Sequence, residues 1–474
     1  MPRKPVLKHS DVVFMYPSDD KCYTAYGVTF AGWGGAHSTD EVRRHRQLGI
    51  RCTGTMWCLT AGARRLYESA ELRSAVAVDF LGKPVMPPWQ FDHVYKGQKT
   101  WFGCTNHPIF REHNRQMVRD AMAAGADGLH IDDHSGTGGA ANHGGGFCDY
   151  CMAAFREYLK AGAKPAELQG AGIARGDLDT FDYRAVIRRH ARTREQYLKI
   201  RNRIPLSRQF FDFQFDAAAK HVRGLHEVAA EAAGHPVLLS ANACIGHPYQ
   251  HVVLDSLTHV ICEVDQYATA GTRKAAGTIA AYNVAARRGV PVAATGFGWD
   301  WAFVKQRGGC HDLVRFWIAL AYAHGQRFMC PHPQRQWCFD EQQGTHWYAA
   351  PVEEYAPVYR FIRRNASCFD GLEAVTPASV TSPRHVRTAL RRKGSGGKTV
   401  LHVINTDYDT RSRRMRPRKN VRISVPKRLV RTGATSVRLL SYDAKPARAD
   451  LARKGAAATF VIPDLTCWTL AVLR

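Results

Sequence analysis

Along most of this chain, short apolar runs rich in β-branched residues alternate with longer stretches whose apolar positions recur at helical spacing. The short runs read as strands buried on both faces, the longer ones as amphipathic helices, and their alternation as βα units around a parallel sheet. The predicted strands cover residues 12–16, 51–59, 101–104, 128–132, 236–241, 259–264, 291–295 and 327–330. A helix capped by Ser38 or Thr39 follows the first of them and stops at Gly49. Others are predicted over 63–75, 108–124, 149–161, 207–233, 272–288, 312–324 and 352–364. The segment VDFLGKPVMPPW, with its Gly82-Lys83-Pro84 turn, reads as a hairpin excursion, and the polar, interrupted residues 162–205 as an insertion. Eight strands in βα order predict an α/β chain whose residues 1–370 form a (β/α)8 barrel. An open doubly wound sheet would want a phosphate-binding glycine loop after its first strand, and YPSDDKCY is not one. From residue 371 the helical period disappears. Runs such as KTVLHVINTD, NVRISVP and CWTLAVL, separated by turn residues, predict a small all-β domain over 371–474, an antiparallel sandwich.

Length and composition agree with this partition. The 474 residues exceed one ordinary domain, and a hydrophobic content of 45% is enough for a large core. No apolar run approaches the roughly 18 residues of a membrane span. The start, MPRKPVLKHSDVVFMY, carries charges without an apolar stretch and reads as lacking a secretory leader. The 13 cysteines are odd in number and several sit inside apolar runs, as Cys262 and Cys330 do. Buried free thiols fit a reducing compartment, so a cytoplasmic location is expected. Formal net charge is +25, and residues 371–474 hold 22 Lys+Arg against 6 Asp+Glu, 22 − 6 = +16. The densest run is Arg411, Arg413, Arg414, Arg416, Arg418 and Lys419. It reads first as a solvated loop and second as a polyanion-binding face. With no nucleic-acid motif beside it, no specific nucleic-acid partner is expected, and no membrane partner.

In a barrel, chemistry gathers at the C-terminal ends of the strands. The run 128–132 ends in GLHIDDHSG, so Asp132 and Asp133 close it between His130 and His134. Strand alternation puts His130 and Asp132 on the inward face, with Asp133, at the point where strand becomes loop, as the alternative. The run 259–264 ends in VICEVDQY, where Glu263 and Asp265 share a face. Carboxylates at the ends of two strands are what glycoside hydrolysis requires: one protonates the leaving oxygen, the other attacks the anomeric carbon or activates water. Their separation distinguishes retention from inversion, and retention is the leading expectation. Asp19, Tyr26, Trp57, His130, Asn242, Trp299, Asp300 and His332 are the expected substrate contacts, since aromatic faces stack on sugar rings and short polar groups bond hydroxyls. A carbohydrate is thus the expected partner, and the chemistry requires no cofactor. The competing readings are a metal-dependent hydrolase or lyase built on His130, His134, Asp132 and Asp133, and a glycan-binding barrel without turnover. The pair Cys148 and Cys151 opens the helix after the fourth strand. With Cys104 or His143 it could complete a structural zinc site, against the alternative of thiols packed in the core. The sequence does not fix the oligomeric state.

The stretch DGLHIDDHSG…GGGFCDYCMAAFREYL resembles the barrel proteins grouped as hypothetical glycoside hydrolases allied to the family 42 β-galactosidases. In those relatives an acidic motif ends strand four, and a cysteine-containing loop leads into a helix of the form CxxCxxxFRxYL. Cys148, Cys151, Phe155, Arg156, Tyr158 and Leu159 occupy those positions here. Family 42 enzymes carry Asn-Glu after strand four and a Glu after strand seven, where this chain has Asp132-Asp133 and TGFGWDW. Their zinc cluster also uses more cysteines than this loop holds. The placement of acids is more similar to the α-galactosidase-type barrels. That resemblance implies Asp132 as nucleophile and Asp265 or Glu263 as proton donor.

Overall fold

The computed structural model describes residues 7–33, 36, 38–57, 69–95, 97–243, 245–246, 248–375, 380–394 and 397–473. Two compact units divide the chain: Ala36–Arg43 with Thr53–Leu257 in the first, and Val6–Gly35, Arg44–Cys52 and Thr258–Arg474 in the second. Eight parallel strands run through them in chain order: β1 (Val13–Phe14), β2 (Phe30–Ala31), β3 (Arg51–Trp57), β4 (Gly128–Asp132), β5 (Leu238–Ala241), β6 (Val260–Glu263), β7 (Val292–Thr295) and β8 (Arg327–Phe328). In the second unit β6 pairs with β7, β7 with β8, β1 with β2, and β2 with Arg51 and Cys52 at the start of β3. A parallel bridge between Phe14 and Cys330 links β8 to β1. In the first unit the rest of β3 pairs with β4, and β4 with β5. Leu129, Ile131, Val260, Ile261, Val292 and Ala293 are completely buried. Strands covered on both faces need apolar side chains on both, which is why these runs do not alternate. Gly128 opens β4 because a Cβ there would stand 2.1 Å from the carbonyl oxygen of Leu238.

Two strand assignments change. The expected third strand, residues 101–104, takes no part in the parallel sheet. Gly103 bridges Val76 in antiparallel fashion, and Phe102 exchanges backbone bonds with Ala77 and Val85. The run pairs with the segment Val76–Ala77 that leads into the hairpin excursion, and Asp79 closes the turn of that hairpin by accepting from Leu81 and Lys83. The second parallel strand is instead Phe30–Ala31, inside a segment that reads as a polar, aromatic loop. It follows a short helix, Asp20–Tyr26, whose amides Asp19 caps. Residues 58 and 59 of the 51–59 run and residues 63–68 of the 63–75 helix lie outside the described residues, and Ala70–Ser74 of that helix is helical.

The helices follow their sequence signals closely. Pro108–Ala123 starts on proline and yields to Gly125 at φ 91°. Ser207–Ala233 ends at Gly234, and Val352–Arg364 closes the series. The 162–205 insertion forms short helices, Pro165–Gly170, Tyr183–His190 and Arg194–Ile200. Their apolar faces join Phe80, Phe147, Phe155 and Phe210 in one aromatic core of the first unit. Beyond Gly371 an antiparallel six-stranded sheet, reaching from Glu373–Ala374 to Ala447–Asp450, and a three-stranded sheet built on Arg418–Pro426 enclose Leu401, Val403, Ile423, Phe460 and Ile462. Within the basic run Arg416 pairs with Asp409 and Arg418 with Asp407, so part of it is pinned to its own loop. The described cysteines are free thiols. No helix among the described residues is long and apolar enough to cross a membrane.

Candidate active site

In the first unit the chemistry gathers where β4 ends. His130 is completely buried and hydrogen-bonded through Nδ1 to Ser240 Oγ at 2.9 Å, so its ring belongs to the seam between β4 and β5. Asp132, the last residue of β4, is half-buried. Its Oδ1 accepts from the backbone N–H of Asp133 at 2.9 Å and from Asn242 Nδ2 at 3.0 Å. Asn242 comes from the residue that follows β5, so two adjacent strand ends fix one carboxylate. Asp133 turns the chain in the left-handed region, at φ 47°, into the helix Gly136–Asn142. His134 donates from Nδ1 to the carbonyl of Asn242 at 3.0 Å. Burial lowers its pKa to about 4, so the ring is neutral, and its Nε2 has no partner among the described residues. Trp57 ends β3, and its side chain lies outside the described residues.

The second unit holds the remaining acids. Glu263 ends β6 opposite Thr295 and is half-buried. Asp265 lies in the following loop, where it accepts from the N–H of Tyr267 at 2.7 Å. Asp300 is only 1% exposed and accepts three backbone N–H groups, from Gln266, Ala268 and Phe297, at 2.9, 2.9 and 3.1 Å. Burial pushes its carboxyl up to about 7 against the pull of those bonds. Expected as a substrate contact, Asp300 instead ties the loop after β6 to the helix Gly298–Arg307. Trp299, by contrast, is 52% exposed and stacks on Phe297 at 4.4 Å, an open aromatic surface. Three more expected contacts have internal roles. Asp19 caps the helix Asp20–Tyr26. Tyr26 is buried between Phe14 and Tyr359, with its hydroxyl on the carbonyl of Pro331. His332 is buried, donates to the carbonyl of Pro17, and accepts from the N–H groups of Gln334 and Arg335. Aromatic and acidic residue types near strand ends serve packing and capping as readily as recognition, and only burial separates the two uses.

The cysteines of the first unit converge. Sγ of Cys104 lies 3.3 Å from that of Cys148 and 3.5 Å from that of Cys151, and Cys148 and Cys151 are 3.5 Å apart. Cys148 caps the helix Asp149–Gly162, and its sulfur also accepts the N–H of Cys151. Hydrogen bonds from Cys104 and Cys151 draw the Cys148 thiol strongly down, while burial pushes Cys104 and Cys151 up. Asn106 donates to Cys151 Sγ at 3.3 Å, a contact that nothing in the sequence marked. Three mutually adjacent sulfurs, one of them favoured as thiolate, are a donor set suited to zinc. Of the two further ligands expected, Cys104 joins this group. His143 does not, and stacks on Phe102 instead.

No family model and no curated protein sequence matches the chain. Solved structures do. A cycloisomaltooligosaccharide glucanotransferase of a Paenibacillus species, complexed with cycloisomaltoheptaose, superposes with a TM-score of 0.59 at 9% identity, over 97% of this chain and 84% of its own. An α-amylase from Geobacillus thermoleovorans, complexed with acarbose, gives 0.54 at 7% identity over 99% of both chains. The α-L-fucosidase isoenzyme 2 of Paenibacillus thiaminolyticus gives 0.53 at 10% identity, over 98% of this chain and 99% of its own. The fold is a (β/α)8 barrel followed by a C-terminal β domain. At these identities fold is what is shared, and no comparison shows a relationship to family 42. In such a barrel the C-terminal strand ends carry function. Asp132 and Glu263 are both the last residues of their strands.

Proposed function

We propose that this protein is a glycoside hydrolase acting on an oligo- or polysaccharide, with Asp132 as its nucleophile and Glu263, or Asp265 two residues on, as proton donor. One observation carries the reading. Asp132 ends its strand half-exposed and is oriented by two donors that bond a single carboxylate oxygen, the Asp133 amide and the Asn242 side chain. Those bonds hold the carboxylate in one orientation at the strand end, as a nucleophile requires. The exposed face of Trp299 supports a sugar as the partner, since an aromatic plane complements the apolar face of a pyranose. That solved structures of the same fold include a glucanotransferase, an amylase and a fucosidase favours the same chemistry. Retention of configuration is the expected course.

Cys104, Cys148 and Cys151 are proposed as three ligands of a structural zinc ion. When bound, the metal would lock the segment before helix Pro108–Ala123 to the start of helix Asp149–Gly162. It takes no part in the proposed chemistry.

The experiment is a screen of aryl glycosides and oligosaccharides with wild type, Asp132→Asn and Asn242→Ala. Turnover by the wild type should fall at least about 10³-fold in Asp132→Asn. In Asn242→Ala it should fall by about 10-fold to 100-fold, chiefly in kcat. Equal turnover in wild type and Asp132→Asn would exclude Asp132 as nucleophile. Undiminished binding of a glycan without turnover in any of the three would favour a glycan-binding barrel.

A further inference from the structure

A cavity of about 920 Å³ lies within the second unit. It sits at the N-terminal ends of β1, β7 and β8, where Leu7–His9, Val290–Pro291 and Gly325–Gln326 precede those strands, and strand Val386–Arg392 of the β domain forms its other wall. Its size falls in the range of small-molecule sites, about 300–1,000 Å³. Its lining combines aliphatic residues such as Val290, Leu372 and Leu390 with the cations Lys8, Arg327 and Arg391 and the acids Asp370 and Glu373.

Arg327 is buried, 4% exposed, and donates to three carbonyls, those of Lys8, Leu7 and Gly325. Arg391 reaches the same place from the β domain. Its guanidinium stands where a Cβ of Gly325 would be, with Nη1 2.6 Å from that position, and Gly325 itself adopts φ 81°. Arg391 donates to the carbonyl of Leu372, while its Nε is buried without an acceptor. Two guanidinium groups therefore lie against one glycine, and neither forms an ion pair with a described carboxylate. Of the acids lining the cavity, Asp370 is engaged by the amide and hydroxyl of Ser10 and Glu373 is exposed, while Asp11, which also acts on Arg327, is bonded by Arg51 and Thr29. Two histidines complete the rim. His9, 7% exposed, uses Nδ1 on the carbonyl of Phe369 and leaves Nε2 unpartnered, and the buried Nε2 of His324 is unpartnered too. Burial draws Arg327 down to about 10 against the pull of Asp11 and Asp370, burial and the charge of Arg327 draw Arg391 down to about 10 against the pull of Glu373, and burial with the charges of Arg387 and Arg391 draws His324 to about 4.

Buried cations whose nearby acids form no ion pair with them are costly unless an anion supplies one, and buried donors without acceptors add to that cost. The guanidinium fork is matched to a carboxylate or phosphate group. We propose that this cavity binds a small organic oxyanion, its carboxylate or phosphate held by Arg327 and Arg391 and its apolar body received by the wall of Val290, Leu372 and Leu390. The site is separate from the proposed catalytic residues, and its test does not depend on turnover.

Inorganic phosphate, benzoate and phenyl phosphate are titrated at constant ionic strength by calorimetry, with thermal melting in parallel. Phenyl phosphate should bind saturably, at least 10-fold tighter than inorganic phosphate, and raise the melting temperature. Tighter binding of benzoate than of phenyl phosphate would assign the site to carboxylates. Arg391→Leu should weaken the preferred anion at least 10-fold and, without anion, melt no lower than wild type, because it removes a buried charge held without an ion pair. Arg391→Lys, which keeps the charge and loses the fork, should give an intermediate loss. The proposal is overturned if no probe saturates on the wild type. It is equally overturned if both variants bind as the wild type does, the mark of an adventitious ion only.

Discussion

Lowering the pH should unfold this protein early, and the reason lies in its buried histidines. Burial holds His134, His143, His324 and His332 down to about 4, and His221 and His259 to about 3. In the unfolded chain each titrates near 6.5. Between these values the unfolded state binds protons that the folded state refuses, so stability is intact above about pH 7 and falls as pH drops through 6.5 toward 4. For one such histidine the loss from pH 7 to pH 5.5 is about 1.2 kcal/mol, and six acting independently lose about 7 kcal/mol. A domain stability of about 5–15 kcal/mol leaves little margin. Urea unfolding, followed by fluorescence in pH steps from 7.5 to 5, measures the effect. The midpoint should slide steeply below pH 6.5, with an apparent uptake of several protons. His259→Leu should reduce that uptake by nearly one proton, because its Nε2 lacks a partner and its ring packs edge-on against Phe30. A midpoint that stays constant from pH 7 to 5.5 would refute the argument.

Other expectations follow from the cysteine cluster and the aromatic core. Wild-type protein should carry about one zinc per chain by elemental analysis, and Cys148→Ser should carry none and melt lower, as should wild type stripped by a strong chelator. Metal-free wild type with an unchanged melting curve would leave the three thiols as core packing. Phe210 is fully buried and stacks on Phe147 at 4.7 Å, so Phe210→Ala should cost about 3–5 kcal/mol in urea unfolding, and Phe210→Leu clearly less. Equal costs for the two would mean that the insertion core tolerates a cavity.

Periodicity and capping made most of the barrel legible. Strands with continuous apolar runs, such as VICE and VAAT, announce a sheet covered on both faces. Helices with a proline start or a glycine stop announce their own boundaries. The error came where these signals are weak. Phe30–Ala31 is two residues long, too short for a pattern, and is a strand only because β1 and β3 supply its hydrogen bonds. Residues 101–104 look like a strand because they are apolar, but their partners run antiparallel in an excursion. The same limit governs the candidate site. Residue type pointed to Asp132, Asn242, Asp300 and His332 alike. Only the fold shows that Asn242 orients Asp132 while Asp300 and His332 are consumed by backbone groups. The cavity around Arg327 and Arg391 left no trace in the sequence, because those residues are 64 positions apart and belong to different domains of the chain. Local sequence determines which segments become strands and helices, since hydrogen bonding and amphipathicity act over a few residues. Which polar groups are left with work to do is decided by long-range packing, which alone sets burial and partners.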